Sequence, residues 1–263
     1  GVVMSLALDY QTNGYVAPVA CIDGAAAARH RRQLEHVEQQ FGDQHYRSKM
    51  HTLLDFAADL ATAPRVLDVV EQLLGPNIML FDVTYIIKEA HSPSHVSWHQ
   101  DLTYWGLSND RQVSMWLALS PATPVSGCMR MVPGSHTQGK LEHTDTADTS
   151  NVLFRGQSVE GVAEDNAQMC PLQPGEASFH HGWTLHASMP NASDDRRIGF
   201  NVQYIDPSAR QTLHDLDTAT LVRGVDHFGH YKPDQFASGV MQKEAVERHA
   251  RLEKLRKDTW ANA

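Results

Sequence analysis

The chain has 263 residues, 41% hydrophobic and 20% charged, with 22 basic against 31 acidic side chains and a formal net charge of −9. These values fit a soluble globular chain, leave no apolar run able to span a bilayer, and set a field that repels a phosphate backbone, so neither membrane nor nucleic acid is expected as a partner. Cys21, Cys128 and Cys170 are odd in number and form no C-x-x-C pair; with no basic-then-apolar leader at the start, reduced thiols and a cytoplasmic setting are expected.

The N-terminal third reads as helices. Asp23 is placed to cap a run over residues 25–40 that stops at Gly42. A second helical stretch covers about residues 50–60, and a third runs from Pro64 to Leu74, where Gly75-Pro76 ends it. From Ile78 the period changes. Residues 78–89 are rich in β-branched and aromatic types, and further strands are predicted over 96–99, 113–119, 128–132, 168–172, 176–181 and 197–205, with turn signals such as Asn109-Asp110 and Pro174-Gly175 between them. Residues 138–166 are polar and aperiodic, a long loop or insert, and residues 243–260 form a charged amphipathic helix. Short strands after a helical prelude indicate an α+β protein on an antiparallel barrel or sandwich. One domain is expected, with its helical part at about 20–75, its barrel at about 77–206 and its C-terminal helix at about 242–260.

Sixteen histidines are an unusual number, and their positions carry the meaning. Trp98-His99-Gln100-Asp101 places H-x-D at a strand end, where residues two apart point to the same side. His186 follows the strand predicted at 176–181. Two imidazoles and one carboxylate make a facial triad with three coordination positions left over. On spacing alone, a hydrogen-bonded strand-end pair without metal stands level with this reading. His143-Thr-Asp145 is a second H-x-D, set aside because it lies in a polar stretch too close to His186 to leave room for the intervening strands. Arg197, eleven residues past His186 in the next strand, can grip a distal carboxylate with two parallel hydrogen bonds, whereas Arg196 beside Asp194 and Asp195 suits a surface position.

The chain resembles the phytanoyl-CoA dioxygenase family of iron(II)/2-oxoglutarate oxygenases over roughly residues 14–231. The matching pieces, in order, are Gly75-Pro76-Asn77-Ile78-Met79, Trp98-His99-Gln100-Asp101, Met115-Trp116-Leu117-Ala118, the stretch from Gly127 to His136, His186-x-Ser188 and Arg197. The resemblance implies a double-stranded β-helix (cupin-like jelly roll) flanked by helices. It implies iron(II) on His99, Asp101 and His186, with 2-oxoglutarate anchored by Arg197 and lying near Gln100, Trp116, Ser188 and Thr84. A basic family position falls at Arg47 or Lys49. Halogenating relatives carry Gly or Ala where Asp101 stands, so hydroxylation of a small metabolite or natural-product intermediate by dioxygen, or an oxidation derived from it, is the expected chemistry.

Other residues carry two readings each. Tyr104 and Trp105 form a substrate wall or a loop anchor. Arg130, alternating with Met129 and Met131, points into the barrel toward an anionic substrate group if it is buried. His181 is inward-facing beside the metal or a plain strand-end histidine, and His136 ends a tight turn. Two other functions compete: a cupin-type hydrolase or isomerase on the same ligands, and a non-catalytic metabolite-binding protein on the same fold. Succinate production separates all three.

Overall fold

The computed structural model describes residues 2–153 and 157–263. Helix α1 (Val2–Asn13) and strand β1 (Tyr15–Ala20) open it, two elements absent from the sequence reading. Helices α2 (Gly24–Phe41), α3 (Asp55–Ala61) and α4 (Pro64–Leu74) follow where their caps dictate. The Asp23 carboxylate accepts the Ala26 N–H at 2.7 Å, and Pro64 fills the first turn of α4. The helix expected from residue 50 is broken at Leu54, whose extended backbone bridges to Val240; a 3-10 turn at Met50–Thr52 precedes the break.

Among the described residues nine further strands follow: β2 (Ile78–Lys88), β3 (Val96–His99), β4 (Gln112–Ala118), β5 (Met129–Met131), β6 (Gln168–Cys170), β7 (Glu176–His181), β8 (His186–Ser188), β9 (Arg197–Ile205) and β10 (Thr220–Arg223). With β1 they build two antiparallel sheets, ordered β1-β7-β4-β9-β2-β10 and β3-β8-β5-β6. The sheets curl together as the double-stranded β-helix expected from the sequence. Helix α5 (Lys243–Asn262) follows the barrel. The polar stretch 138–166 carries only isolated pairings, His95 with Asn151 and Thr144 with Ser158, and a 3-10 turn at Glu164–Asn166 among its described residues.

The larger sheet has two different faces, set by strand alternation. Val113, Met115 and Leu117 of β4, Ala177 and Phe179 of β7, and Ile198, Phe200, Val202 and Tyr204 of β9 join one apolar core with Leu34, Val66, Val69 and Val70 of the helices. The opposite face turns Ser114, Trp116, His180, Arg197, Asn201 and Gln203 into the barrel. A register shift between Leu80 and Asp82 resets the alternation of β2, so Leu80 and Val83 both face the helices while Asp82 and Thr84 face inward. The same chain therefore makes a helix-covered greasy face and a polar cavity face.

Candidate metal centre

His99 ends β3, Gln100 keeps an extended backbone, and Asp101 begins a 3-10 turn, so the two-residue spacing still aims both side chains at one point. His186 opens β8 and is the register partner of His99, with ring centroids 4.1 Å apart. Asp101 Oδ1 lies 3.3 Å from His99 Nε2 and 3.2 Å from His186 Nε2. Among the described residues this trio is the His/Cys/Asp/Glu group able to hold a metal ion.

The surroundings select the ligand form of each side chain. His99 Nδ1 lies 2.7 Å from Ser97 O and His186 Nδ1 lies 2.9 Å from Thr184 O. A carbonyl only accepts, so each Nδ1 carries the proton and each Nε2 presents a lone pair to the centre. Asp101 Oδ2 accepts from the Ser114 hydroxyl at 2.6 Å and lies 2.9 Å from His180 Nε2, which leaves Oδ1 alone to face the centre. Burial works against the charge on Asp101, but His186, His180 and His99 outweigh it and hold the carboxyl well below its usual range. His186 resists burial through Asp101 and is raised, whereas burial and His186 push His99 down. Two neutral-nitrogen donors and one oxygen at one point suit a first-row divalent metal with positions to spare.

Behind the trio, Arg197 is buried, and burial pulls its guanidinium down to about 10. Its Nη1 donates to Gly127 O at 2.5 Å, its Nε has no partner, and its carbon sits 4.8 Å above the Trp116 ring. Trp116 in turn lies over Gly199, where an added Cβ would come within 2.1 Å of the indole. No carboxylate of the described residues pairs with Arg197. A buried guanidinium in that state fits an incoming carboxylate.

Of the residues named from sequence, Thr84, Tyr104, Trp105, Trp116, Ser188 and Arg197 line the cavity with the trio. Gln100 does not. Its amide donates to Gly139 O and Trp183 O and accepts from the Leu141 N–H, tying down a loop instead of touching the cavity. Arg130 also departs from the expectation: Met129 lines the cavity, so Arg130 takes the outer face of β5, its guanidinium 5.2 Å from the Trp98 ring. The inward histidine of β7 is His180, not His181, because Phe179 joins the helix-side core; His181 packs outward against Tyr10 and His136. Neither Arg47 nor Lys49 lines the cavity. Arg47 pairs with Glu253, Lys49 with Asp234. His143 Nε2 accepts the Gln100 N–H at 3.0 Å, which removes it as a ligand.

Sequence reasoning missed Ser114, Asn201 and Gln203, yet each stands an even number of residues from Trp116 or Arg197 on its own strand, a signal that alternation offered; it missed His180 because the neighbouring His181 reads as the inward one. Asp82, two residues from Thr84 on β2, carries the same alternation signal, whereas Tyr46 and Trp260 also line the cavity and no local pattern marks them.

An antiparallel two-sheet barrel holding two imidazoles, a carboxylate and an unpaired buried guanidinium has the build of a facial-triad metalloenzyme. The profile of the phytanoyl-CoA dioxygenase (PhyH) family matches residues 10–199, and the chain belongs to that family. It is 28% identical over 149 residues to a probable alpha-ketoglutarate-dependent hypophosphite dioxygenase of Stutzerimonas stutzeri, covering 56% of this chain and 52% of that one. Over 149 residues it is 30% identical to 1-deoxypentalenic acid 11-beta-hydroxylase of Streptomyces arenae, covering 52% of this chain and 51% of that one. The chain thus spans about half the length of these curated relatives. Among solved structures, apo ThoJ, a non-heme monooxygenase, superimposes with a TM-score of 0.85 at 30% identity over 98% of both chains.

Proposed function

We propose that this chain is an iron(II)- and 2-oxoglutarate-dependent oxygenase that hydroxylates an unactivated C–H of a small, largely apolar molecule, releasing succinate and carbon dioxide. One observation carries the reading: His99 Nε2, His186 Nε2 and Asp101 Oδ1 converge in the same cavity as Arg197, a buried cation without an anion. When bound, the iron supplies activation of dioxygen, one atom going to succinate and the other to the substrate.

The protein's share is binding, orientation and exclusion of water. Arg197 takes the distal carboxylate of the 2-oxo acid through a charge-assisted contact, and Trp116 holds the guanidinium plane. Ser114 and His180 keep Asp101 from rotating, so the carboxylate offers one oxygen and leaves space for the co-substrate. Because Asp101 occupies its position, a halide has no place there, and hydroxylation, or an oxidation derived from it, is the expected reaction. The remaining wall is made of the aliphatic or thioether side chains of Ile86, Val96, Met129, Val152, Leu153 and Ala187 and the aromatic side chains of Tyr46, Tyr104, Trp105 and Trp260. Such walls suit an apolar or aromatic body, and the net charge of −9 disfavours a substrate carrying several phosphates. A hydrolase on the same three ligands has no use for Arg197.

The test is succinate formation with iron(II), ascorbate and 2-oxoglutarate across a panel of small apolar metabolites, in air and under argon. Oxygen-dependent succinate that rises with one panel member is expected. Product formed without 2-oxoglutarate, or equally under argon, would refute the reading.

A further inference from the structure

A second buried cation lies beside Arg197. Lys88 is the last residue of β2 and the register partner of Arg197 on β9, and it is fully buried. Its Nζ donates to Ser188 Oγ at 2.7 Å and to Met189 O. Among the described residues, neither of these partners is an anion. The charged and titratable groups that act on it are Arg197 on β9 and the Cys128 thiol before β5. Further out, His45 accepts the Ile87 N–H, and Glu89 and Asp195 are engaged by Arg196 and Arg31.

Two cations side by side in a buried site repel one another, and one of them escapes by losing its proton. The lysine is the one that yields, since a guanidinium holds its proton far more strongly. Burial and Arg197 push the Lys88 amine down to about 6. The Ser188 oxygen accepts from Lys88, so the Ser188 hydroxyl proton is left to donate elsewhere, and Ser188 lines the cavity.

Resting on the reading that Arg197 binds a 2-oxo dicarboxylate, we propose that Lys88 is a positioning residue for that ligand: through Ser188 it aims a hydroxyl donor at the distal carboxylate, and it takes up one proton from solvent as the carboxylate arrives. The arriving negative charge stabilises the ammonium, so binding and protonation are linked. Below the free amine's range Lys88 is protonated in both states and no uptake occurs. Above it, uptake accompanies binding until the pH passes the raised value of the bound state, where the ammonium is lost and affinity falls.

The measurement is anaerobic titration calorimetry of the iron(II)-loaded protein with 2-oxoglutarate, in phosphate and in Tris, whose ionisation heats differ. The difference in observed heat reports protons exchanged. At pH 7.5 the native protein is expected to take up close to one proton (about 0.7 to 1), falling toward zero at pH 5. 2-Oxobutyrate, which has the chelating end but no distal carboxylate, should bind without uptake. Lys88→Arg, permanently charged, should bind 2-oxoglutarate with no uptake, and Lys88→Met should bind ~10-fold or more weakly, also with none, a loss in the range of one charge-assisted contact. Native binding with no proton uptake, or undiminished uptake in Lys88→Arg, overturns the role of Lys88 alone. No native binding of 2-oxoglutarate overturns the functional reading together with it.

Discussion

Two clusters of buried charge sit at different places in this barrel, and they are built on opposite plans. In one, every cation has its anion. Lys49 Nζ donates to Asp234 Oδ2 at 3.0 Å and to Phe81 O at 2.6 Å; His51 Nε2 lies 3.3 Å from the same carboxylate oxygen. Arg256 of α5 grips Asp217 at 3.0 Å, its guanidinium carbon 4.5 Å from the Phe81 ring and 4.7 Å from the Trp105 ring. In the other, Arg197 and Lys88 are buried side by side and meet only carbonyls, a hydroxyl and a ring face. Full compensation marks charge that belongs to the fold. Charge left without a counter-ion marks a place where a ligand supplies it, since burying a lone ion is strongly unfavourable. The first cluster fastens α5 to the barrel, and the second waits on an anion.

The sharpest way to break this contrast is to test the metal site that would give the uncompensated cluster its purpose. His99→Ala, Asp101→Ala or His186→Ala should abolish iron binding and 2-oxoglutarate-dependent succinate formation, measured by metal analysis and product assay. His143→Ala should leave both intact. Iron lost on His143→Ala and kept on His99→Ala would mean that the wrong H-x-D has been assigned.

Next comes a crossed pair of substitutions. Arg256→Met strands Asp217 in the interior and should destabilise the protein by about 3–5 kcal/mol, read as a clear fall in Tm. Arg197→Met removes a cation that has no partner, so the melting temperature should hold or rise. It should nonetheless weaken 2-oxoglutarate binding by roughly 10- to 100-fold. If both variants lose stability alike and both keep their affinity for 2-oxoglutarate, the two clusters are the same in kind.

The clusters should also answer pH in different windows. Burial opposes the charged forms of Asp217 and Asp234, but Arg256 and Lys49 outweigh it and depress both carboxyls. Groups depressed in the folded state add stability above the ordinary carboxylate range and lose it as pH falls through their lowered values. Denaturant midpoints should therefore drop below about pH 4, and Asp234→Asn should flatten that drop. Lys88 is a base whose folded value is depressed, so between about 6 and its ordinary value the unfolded chain binds more protons than the folded one. Stability without ligand should rise with pH across that window, and less so in Lys88→Met.

The smallest effect is expected at the seam between the clusters. Trp260 of α5 lines the cavity, its ring 6.1 Å from Trp105 and 5.6 Å from Tyr46. Trp260→Ala should leave iron and 2-oxoglutarate affinities unchanged while raising the substrate KM several-fold, to about the loss expected of one aromatic contact. An equal loss of 2-oxoglutarate affinity would place Trp260 against the co-substrate instead.

Local rules carried much of the account. Asp23, Pro64, Gly42 and Gly75 bound helices without help from distant residues, and β-branched runs marked most strands. H-x-D at a strand end, a later histidine and Arg197 eleven residues beyond it were legible because coordination chemistry demands those types near those positions. Family resemblance then supplied their order. What stayed illegible depends on which strand face the helices cover and on contacts between distant segments. His180 rather than His181, and Arg130 facing out, turn on parity, which is set only when Phe179 and Met129 find their neighbours. Lys88 comes beside Arg197 only through pairing across β2 and β9, and Trp260 reaches the cavity on α5, whose Arg256 meets Asp217. A sequence states which side chains can do chemistry; the packing of one sheet face against helices decides which of them share a cavity.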